Sequence, residues 1–576
     1  MNEGTGRVAV LVTALVWVVS MSVAIPYLDD DTGSTNLWAG GDGLVGVALA
    51  THVDGLAASL LILAASVALL VQIYSTAYLD GDPRYRSYAA LVLLFALAMI
   101  TVVVADDLFV LLIGWEIMGI CSYLLISHHW ELPAARAGAV KAFLMTRFGD
   151  VGLLIAILVI GQTFDTYRIS YVLDRVEAGA QPPQLTAIGL LLLLAVIGKS
   201  AQFPLHTWLP DAMPGPTPIS ALIHAATMVA AGVYLIARLF PLFEATELTM
   251  TLLAIVASIT MLLGALFALV QSDLKRVLAW STVSQLAYMF AALSVGGRDA
   301  GTDHLLSHGA FKALLFLSAG CIAHAIGSTG LASMGGLRRQ MPTVFWTATI
   351  GFAALAGVVP TAGFFTKDAV LESVYEATHG EAPVSAAMAW VVLVVGLATV
   401  LITAAYAARA WLMAFFGEHA ATEAVSPQVL LVPRAMRWPL VVLAGATLAL
   451  SIGQELHWQM GLISSALVAI GAFGAYRSWS NGRDPALLTG RARPWLRNEL
   501  GIDHAYDALA DGVMRGGDVV VAGDRDVVDF YPRSSSWIVH QGSALMTRAQ
   551  SGNVQTYATV FGTGALLVVV ATVVGR

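Results

Sequence analysis

Residues 304–325 read HLLSHGAFKALLFLSAGCIAHA. His304, His308 and Lys312 recur four apart, so a helix carries them on one face over two turns. Their surroundings are apolar throughout. A charge at such depth is costly, and it faces a bundle interior or a wet cavity. The stretch is therefore a helix of a membrane bundle bearing a titratable stripe. The plain alternative is three unrelated polar residues on a buried face. Asp303, just before the stripe, is either an entry group or a loop residue.

The whole chain has the same character. Of its 576 residues 58% are hydrophobic and 12% are charged, with mean hydropathy +0.76. A soluble domain carries about 25% charged residues, so the chain reads as an all-α polytopic membrane protein. A span takes roughly 20 apolar residues, which gives about 15 transmembrane helices. Residues 8–25, 108–126, 188–197, 252–270 and 566–574 with their flanks are examples. The first of these lacks a small-residue cleavage site before Pro26 and reads as a span, not a signal peptide. The net charge of −8 is spread thinly, and the absence of a basic block argues against nucleic acid. Cys121 and Cys321 lie in apolar segments without a CxxC and read as small core residues. The spacing of histidines and cysteines fits no iron–sulfur, haem or zinc site, and the His128–Trp130 motif reads as interface residues of a loop. With no phosphate-binding glycine loop either, the chain is expected to hold no metal and no cofactor.

Loop charges give an orientation. Arg84, Arg86, Arg136, Lys141, Lys275, Arg276, Arg338 and Arg339 fall on one side if spans alternate. Asp29–Asp31, Asp106, Asp107, Glu244, Glu247 and Asp299 fall on the other, with Arg168 and Arg175 as exceptions. The positive-inside rule places the basic set and the N-terminus in the cytoplasm. Residues 1–105 form N-terminal spans, 106–240 and 241–420 hold nearly all intramembrane charges, and 421–490 add further spans. Residues 491–576 combine a polar stretch, which is either a surface-lying amphipathic element or an extramembrane loop, with a last apolar span. Proline or glycine interrupts the apolar pattern at 211–232, with Pro214, Pro216 and Pro218, and at 357–370. Paired interruptions in two halves point to a transporter site built from broken helices.

Other ionisable residues share this depth. Glu116 is the only charge in LFVLLIGWEIMGICSYLLI; an isolated intramembrane acid marks a functional site by default, or it is satisfied by a neighbouring helix. Lys199 ends LLLLLAVIGKS and is either a proton carrier or a lysine snorkelling to the interface. His206 and His224 are relay members, titrating near neutral pH, or core histidines. Arg147 and Asp150 share a helix face and either tune Lys199 or are structural. Lys367 and Asp368 adjoin in the second interruption, as a relay element or a local ion pair.

Taken together these segments resemble the antiporter-like family of proton-conducting subunits, and above all the distal subunit of respiratory complex I, subunit L or subunit 5. The motifs that carry the resemblance are GWEIMGICSYLLI (114–126), KAFLMTRFGD (141–150), GKSAQFPLHTWLPDAMPGPTPISALIHAATMVAAGVYL (198–235), SDLKRVLAWSTVSQLAYM (272–289), HLLSHGAFKALLFL (304–317), MGGLRR (334–339) and TAGFFTKD (361–368). RNELGIDHAYDAL and SGNVQTYA near the C-terminus resemble the start of that subunit's lateral helix and its anchor. The resemblance implies two inverted five-helix repeats, each with a broken helix. It implies Glu116 paired with Lys199, Lys312 as central lysine, Lys367 on the exit side, relay roles for His224, His304 and His308, and Asp150 as modulator of the first lysine. It implies a bacterial cell membrane and a neighbouring antiporter-like subunit as partner. It also implies that FMN, iron–sulfur clusters and quinone reside in partner subunits. A multisubunit cation/proton antiporter, a proton-conducting partner in inorganic-carbon uptake, and a purely structural anchor are the alternatives. Two departures stand out. The chain starts at what resembles the family's second helix. Glycines and Pro532 argue against one unbroken lateral helix.

Overall fold

The computed structural model describes residues 2–29, 32–39, 47–417 and 432–575. Asp30 and Asp31 of the acidic loop, and the boundary at 420/421, lie outside the described residues. The chain divides into two units, Met1–Leu500 and Gly501–Arg576.

Twelve helices among the described residues are long and apolar enough to cross a membrane, against the expected 15 or so. The difference has a simple cause. Leu185–Lys199 and Pro342–Ala356 have 15 residues each, and Ala362–Ala377 and Arg434–Ala449 have 16. At 1.5 Å per residue such pieces reach only about 22–24 Å, short of the roughly 30 Å hydrocarbon core. Leu185–Lys199 and Pro342–Ala356 are apolar but short, and Ala362–Ala377 carries Lys367, Asp368, Glu372 and Glu376. The all-α reading also missed a small antiparallel pair, Ser34–Ala39 with Leu49–Val53, in which Ser34 faces Val53.

Loop aspartates start several spans. Asp107 accepts the N–H of Phe109 (2.9 Å), Asp54 that of Ala57 (2.9 Å) and Asp273 that of Arg276 (3.0 Å). Each satisfies a donor that the first helical turn leaves unpaired. The two ends of the bundle differ as the loop charges require. Lys141, Lys275 and Arg276 border one cavity at one end. Leu28, Asp54 and Asp299 border another at the opposite end. There Arg168 is held by Asp106 at 3.2 Å.

Both interruptions are real breaks. After Lys199 the chain is irregular apart from the turn Trp208–Asp211, resumes as Thr217–Ala225, breaks again, and continues as Ala230–Arg238. Pro204, Pro210, Pro214 and Pro216 each lack an N–H. Side chains bind carbonyls on either side of the break: Trp208 Nε1 donates to Gly198 O (3.0 Å) and Ser200 Oγ to Val229 O (2.7 Å). Lys275 Nζ, from the start of Leu274–Ser294, donates to Met213 O (2.5 Å) and Gly215 O (2.8 Å). Irregular backbone at membrane depth is tolerated only where protein satisfies it in this way. In the second break Gly357 adopts φ +86°, and Gly363 packs so tightly that a Cβ would lie 2.0 Å from Ala354 O.

In the second unit, Ile502–Gly523 and Phe530–Ala549 are joined by a π-helical turn, Asp524–Val528, and Val554–Val574 follows. Pro532 falls in the first turn of its helix, where no N–H partner is lost. The interruption expected from glycine and proline is thus one wide turn, not a loop.

Candidate functional site

The first cluster forms where three helices meet. Leu108–Ile126 brings Trp115 and Glu116, Pro133–Phe164 brings Arg147 and Asp150, and Leu185–Lys199 ends in Lys199. Lys199 is fully buried. Its ammonium lies 3.4 Å from Asp150 Oδ2 and 5.1 Å from the centroid of the Trp115 ring. Trp115 Nε1 donates to Asp150 Oδ1 at 2.6 Å. Arg147 pairs with the Glu116 carboxylate and reaches within 4.0 Å of Asp150. The implied Glu116–Lys199 pair is therefore replaced by two pairs, Glu116–Arg147 and Asp150–Lys199. Glu116 is also not isolated: its side chain and that of Arg147 remain 27% and 28% exposed.

The second cluster surrounds Lys312. Its ammonium donates to Leu278 O (3.1 Å) and to the Ser281 hydroxyl. One and two turns back lie His308 and His304, whose rings are 6.4 Å apart. His304 Nδ1 is 3.0 Å from Thr366 Oγ1 and Nε2 is 3.3 Å from Gln285 Oε1. Thr366 precedes Lys367, whose ammonium donates to Leu355 O (2.8 Å), a carbonyl left open by the second break, and lies 5.5 Å from the Tyr288 ring. A cation is favoured at such a helix C-terminus. His224 comes from the first broken span, yet its ring lies 4.5 Å from Phe316 on the Lys312 helix. His308 lies between His304 and Lys312 on the same helix, and all three are fully buried. Neither ring nitrogen of His224 or His308 meets a protein hydrogen-bond partner among the described residues.

His206 takes no place in either cluster: its Nδ1 lies 3.2 Å from Pro204 O and its ring stacks edge-on to Trp280. Asp368 is buried beside Gly461. Asp303 borders a 610 Å³ cavity together with Asp299, Glu372, Glu376 and His457. At the other end a 930 Å³ cavity is bordered by Lys141, Asp211, Lys275 and Arg276. Asp211 pairs there with Lys141 (2.6 Å) and Arg276 (3.0 Å), and Arg276 also pairs with Glu499 (2.7 Å).

Sequence reading missed Ser281, Gln285, Thr366 and the role of Lys275. Every residue of Leu274–Ser294 is buried apart from Arg276, the polar run WSTVSQ in its middle included, and that burial is not visible in the sequence.

The chain matches the family model described as NADH:quinone oxidoreductase/Mrp antiporter, transmembrane, over residues 105–385. Residues 40–89 match the NADH-ubiquinone oxidoreductase (complex I) chain 5 N-terminus. It is 37% identical over 554 residues to NADH-quinone oxidoreductase subunit L of Mycobacterium tuberculosis, covering 91% of this chain and 86% of the relative. NADH-ubiquinone oxidoreductase chain 5 of Metridium senile is 39% identical over 460 residues, 79% of this chain and 75% of the relative. Among solved structures, the Mrp complex from Dietzia sp. DQ12-45-1b is similar, with TM-score 0.66 and 26% identity across 99% of this chain and 62% of that one.

Proposed function

Because the chain belongs to the family of NADH:quinone oxidoreductase subunit L and chain 5, we propose that it is a proton-translocating membrane subunit of such an enzyme in a bacterial cell membrane. The observation that carries this reading is the buried stripe His304, His308, Lys312 set against His224 and Lys367. Buried imidazoles and ammonium groups on neighbouring helices, two of the rings without a protein hydrogen-bond partner among the described residues, suit hopping through intervening water.

Protons pass among Glu116, Lys199, His224, His308, Lys312 and Lys367, with Asp150, Arg147, His304 and Asp368 as supporting groups. The cavity bordered by Lys275 is the entrance from one face, and the cavity bordered by Asp303 and Glu372 opens to the other. The two broken spans are the centres of two inverted five-helix repeats. A charge change next to one lysine alters the proton occupancy of the next, which requires two states, not a fixed wire. This chain supplies proton transfer alone. FMN, iron–sulfur clusters and quinone belong to partner subunits, and a neighbouring antiporter-like subunit delivers the charge change. The residues 491–576 serve as lateral element and anchor.

Lys312→Met is the direct test. Proton pumping by membrane vesicles, read as quenching of a pH-sensitive dye, should be lost while the complex still assembles; unchanged pumping sinks the relay. A second reading, a subunit of a cation/proton antiporter, is favoured by the likeness to the Mrp complex over 99% of this chain. Purification of the tagged chain from its native membranes, with mass spectrometry of its companions, separates the two. Flavin and iron–sulfur subunits support the oxidoreductase, and small antiporter subunits support the second reading.

A further inference from the structure

We propose that Asp82, His128 and His129 form a binding site for one Zn²⁺ ion, at the rim of the cavity bordered by Lys141 and Lys275. The inference is independent of the proton relay, and it revises the sequence expectation of no metal.

The three residues come from two loops. Asp82 lies between Gly55–Tyr78 and Tyr85–Val104, and the histidines follow Leu108–Ile126. No sequence spacing links them; only the packing of the spans does. One ligand atom from each lies within 4.8 Å of the other two. His128 Nε2 and Asp82 Oδ2 are 3.0 Å apart. Zinc bonds of about 2.0–2.1 Å in a tetrahedron place neighbouring donors roughly 3.3 Å apart. The Asp82–His128 edge is already of that size, and the His129 ring has to close by no more than about 1.5 Å to complete such a face. His129 is half-buried in a turn, not locked in the core.

The supporting contacts fit a ligand set. The Arg84 N–H donates to Asp82 Oδ1 at 2.7 Å, fixing the carboxylate as outer contacts do for metal ligands. The Arg84 guanidinium is engaged by both oxygens of Glu131 at 2.9–3.2 Å. The Tyr88 ring braces His128 edge-on at 5.4 Å. A metal takes an ionised carboxylate and a neutral imidazole, and Asp82, His128 and His129 can supply one and two of these. Two imidazoles and one carboxylate suit zinc with a water in its fourth position, and not calcium or magnesium, which take oxygen ligands. His129 also borders the 930 Å³ cavity, so a bound ion ties two loops together at its edge.

The test is a Zn²⁺ titration of the purified full chain by calorimetry, with X-ray absorption at the zinc edge. The expected result is one Zn²⁺ per chain with nitrogen and oxygen ligands, and a loss of affinity of about tenfold or more in His128→Ala and in His129→Ala. Glu177→Gln, on a separate helix and outside the ligand set, keeps the wild-type affinity. His129→Ala alters a half-buried ring and serves where His128→Ala fails to fold. Absence of a one-to-one site, or equal affinity in wild type and His129→Ala, means an adventitious ion only and overturns the proposal.

Discussion

Asp150 shows how much one residue holds in a dry bundle. It receives the Trp115 N–H, neutralises Lys199 and adjoins Arg147. Lys199 is fully buried, so Asp150→Asn leaves an ammonium without its counter-charge. Removing one partner of a buried pair costs about 3–5 kcal/mol, whereas replacing both by apolar groups is often neutral. Asp150→Asn is therefore expected to lower the thermal unfolding temperature in detergent sharply, and Asp150→Asn with Lys199→Met to recover most of it. Equal losses in the single and double variants would show that the pair contributes nothing. The sequence revealed that Glu116, Asp150 and Lys199 are charges at depth, because each stands out from an apolar run. Their pairing was not legible, since it depends on how far each helix is rotated about its axis. Ser281, Gln285 and Thr366 were harder still: a neutral residue in an apolar helix carries no cost that composition reveals.

At the scale of elements, spans are tied where they end. Arg409, in the last turns of Ala386–Phe415, is 1% exposed. It donates to both oxygens of Asp484, in the loop after Trp458–Ser480, at 2.6 and 3.0 Å, and to Gln271 O, just past Glu247–Val270, at 2.7 Å. Burial raises the affinity of the Asp484 carboxyl for its proton, but Arg409 and the Ala486 N–H outweigh burial and hold it below the ordinary range. The folded state thus binds the proton less tightly than the unfolded chain. The stabilisation is fully present above the unfolded value of about 3.9 and is lost as pH falls below it. Asp484→Asn should cost about 3 kcal/mol at neutral pH by stranding Arg409. A pH series of unfolding temperatures should then show a smaller acid loss for Asp484→Asn than for the wild type between pH 5 and 3. An identical acid slope would remove Asp484 from the account. Apolar runs made most spans legible, and Pro214, Pro216 and Pro218 marked the first break. That Arg409 and Lys275 bind carbonyls at the ends of other elements was not legible, because a single basic residue at a span end reads only as orientation.

For the molecule as a whole, the first broken span is interlocked with the helices that follow it in the chain. His224 leaves the first broken span and stacks on Phe316 of the Lys312 helix. Lys275, at the start of a helix beyond it, holds the linker of that same span through Met213 and Gly215. The proposed relay would run through this contact, with its members acting in series. Residues acting as one unit show strongly non-additive losses. His224→Ala and His308→Ala should each reduce the initial rate of proton uptake by vesicles, and the double variant should be no slower than the slower single one. Assembly measured on the same membranes separates loss of transport from loss of protein. Losses that multiply would mean that His224 and His308 serve separate routes, one in each half. The interlocking would then be a matter of packing alone, with His224 a buried ring filling space against Phe316.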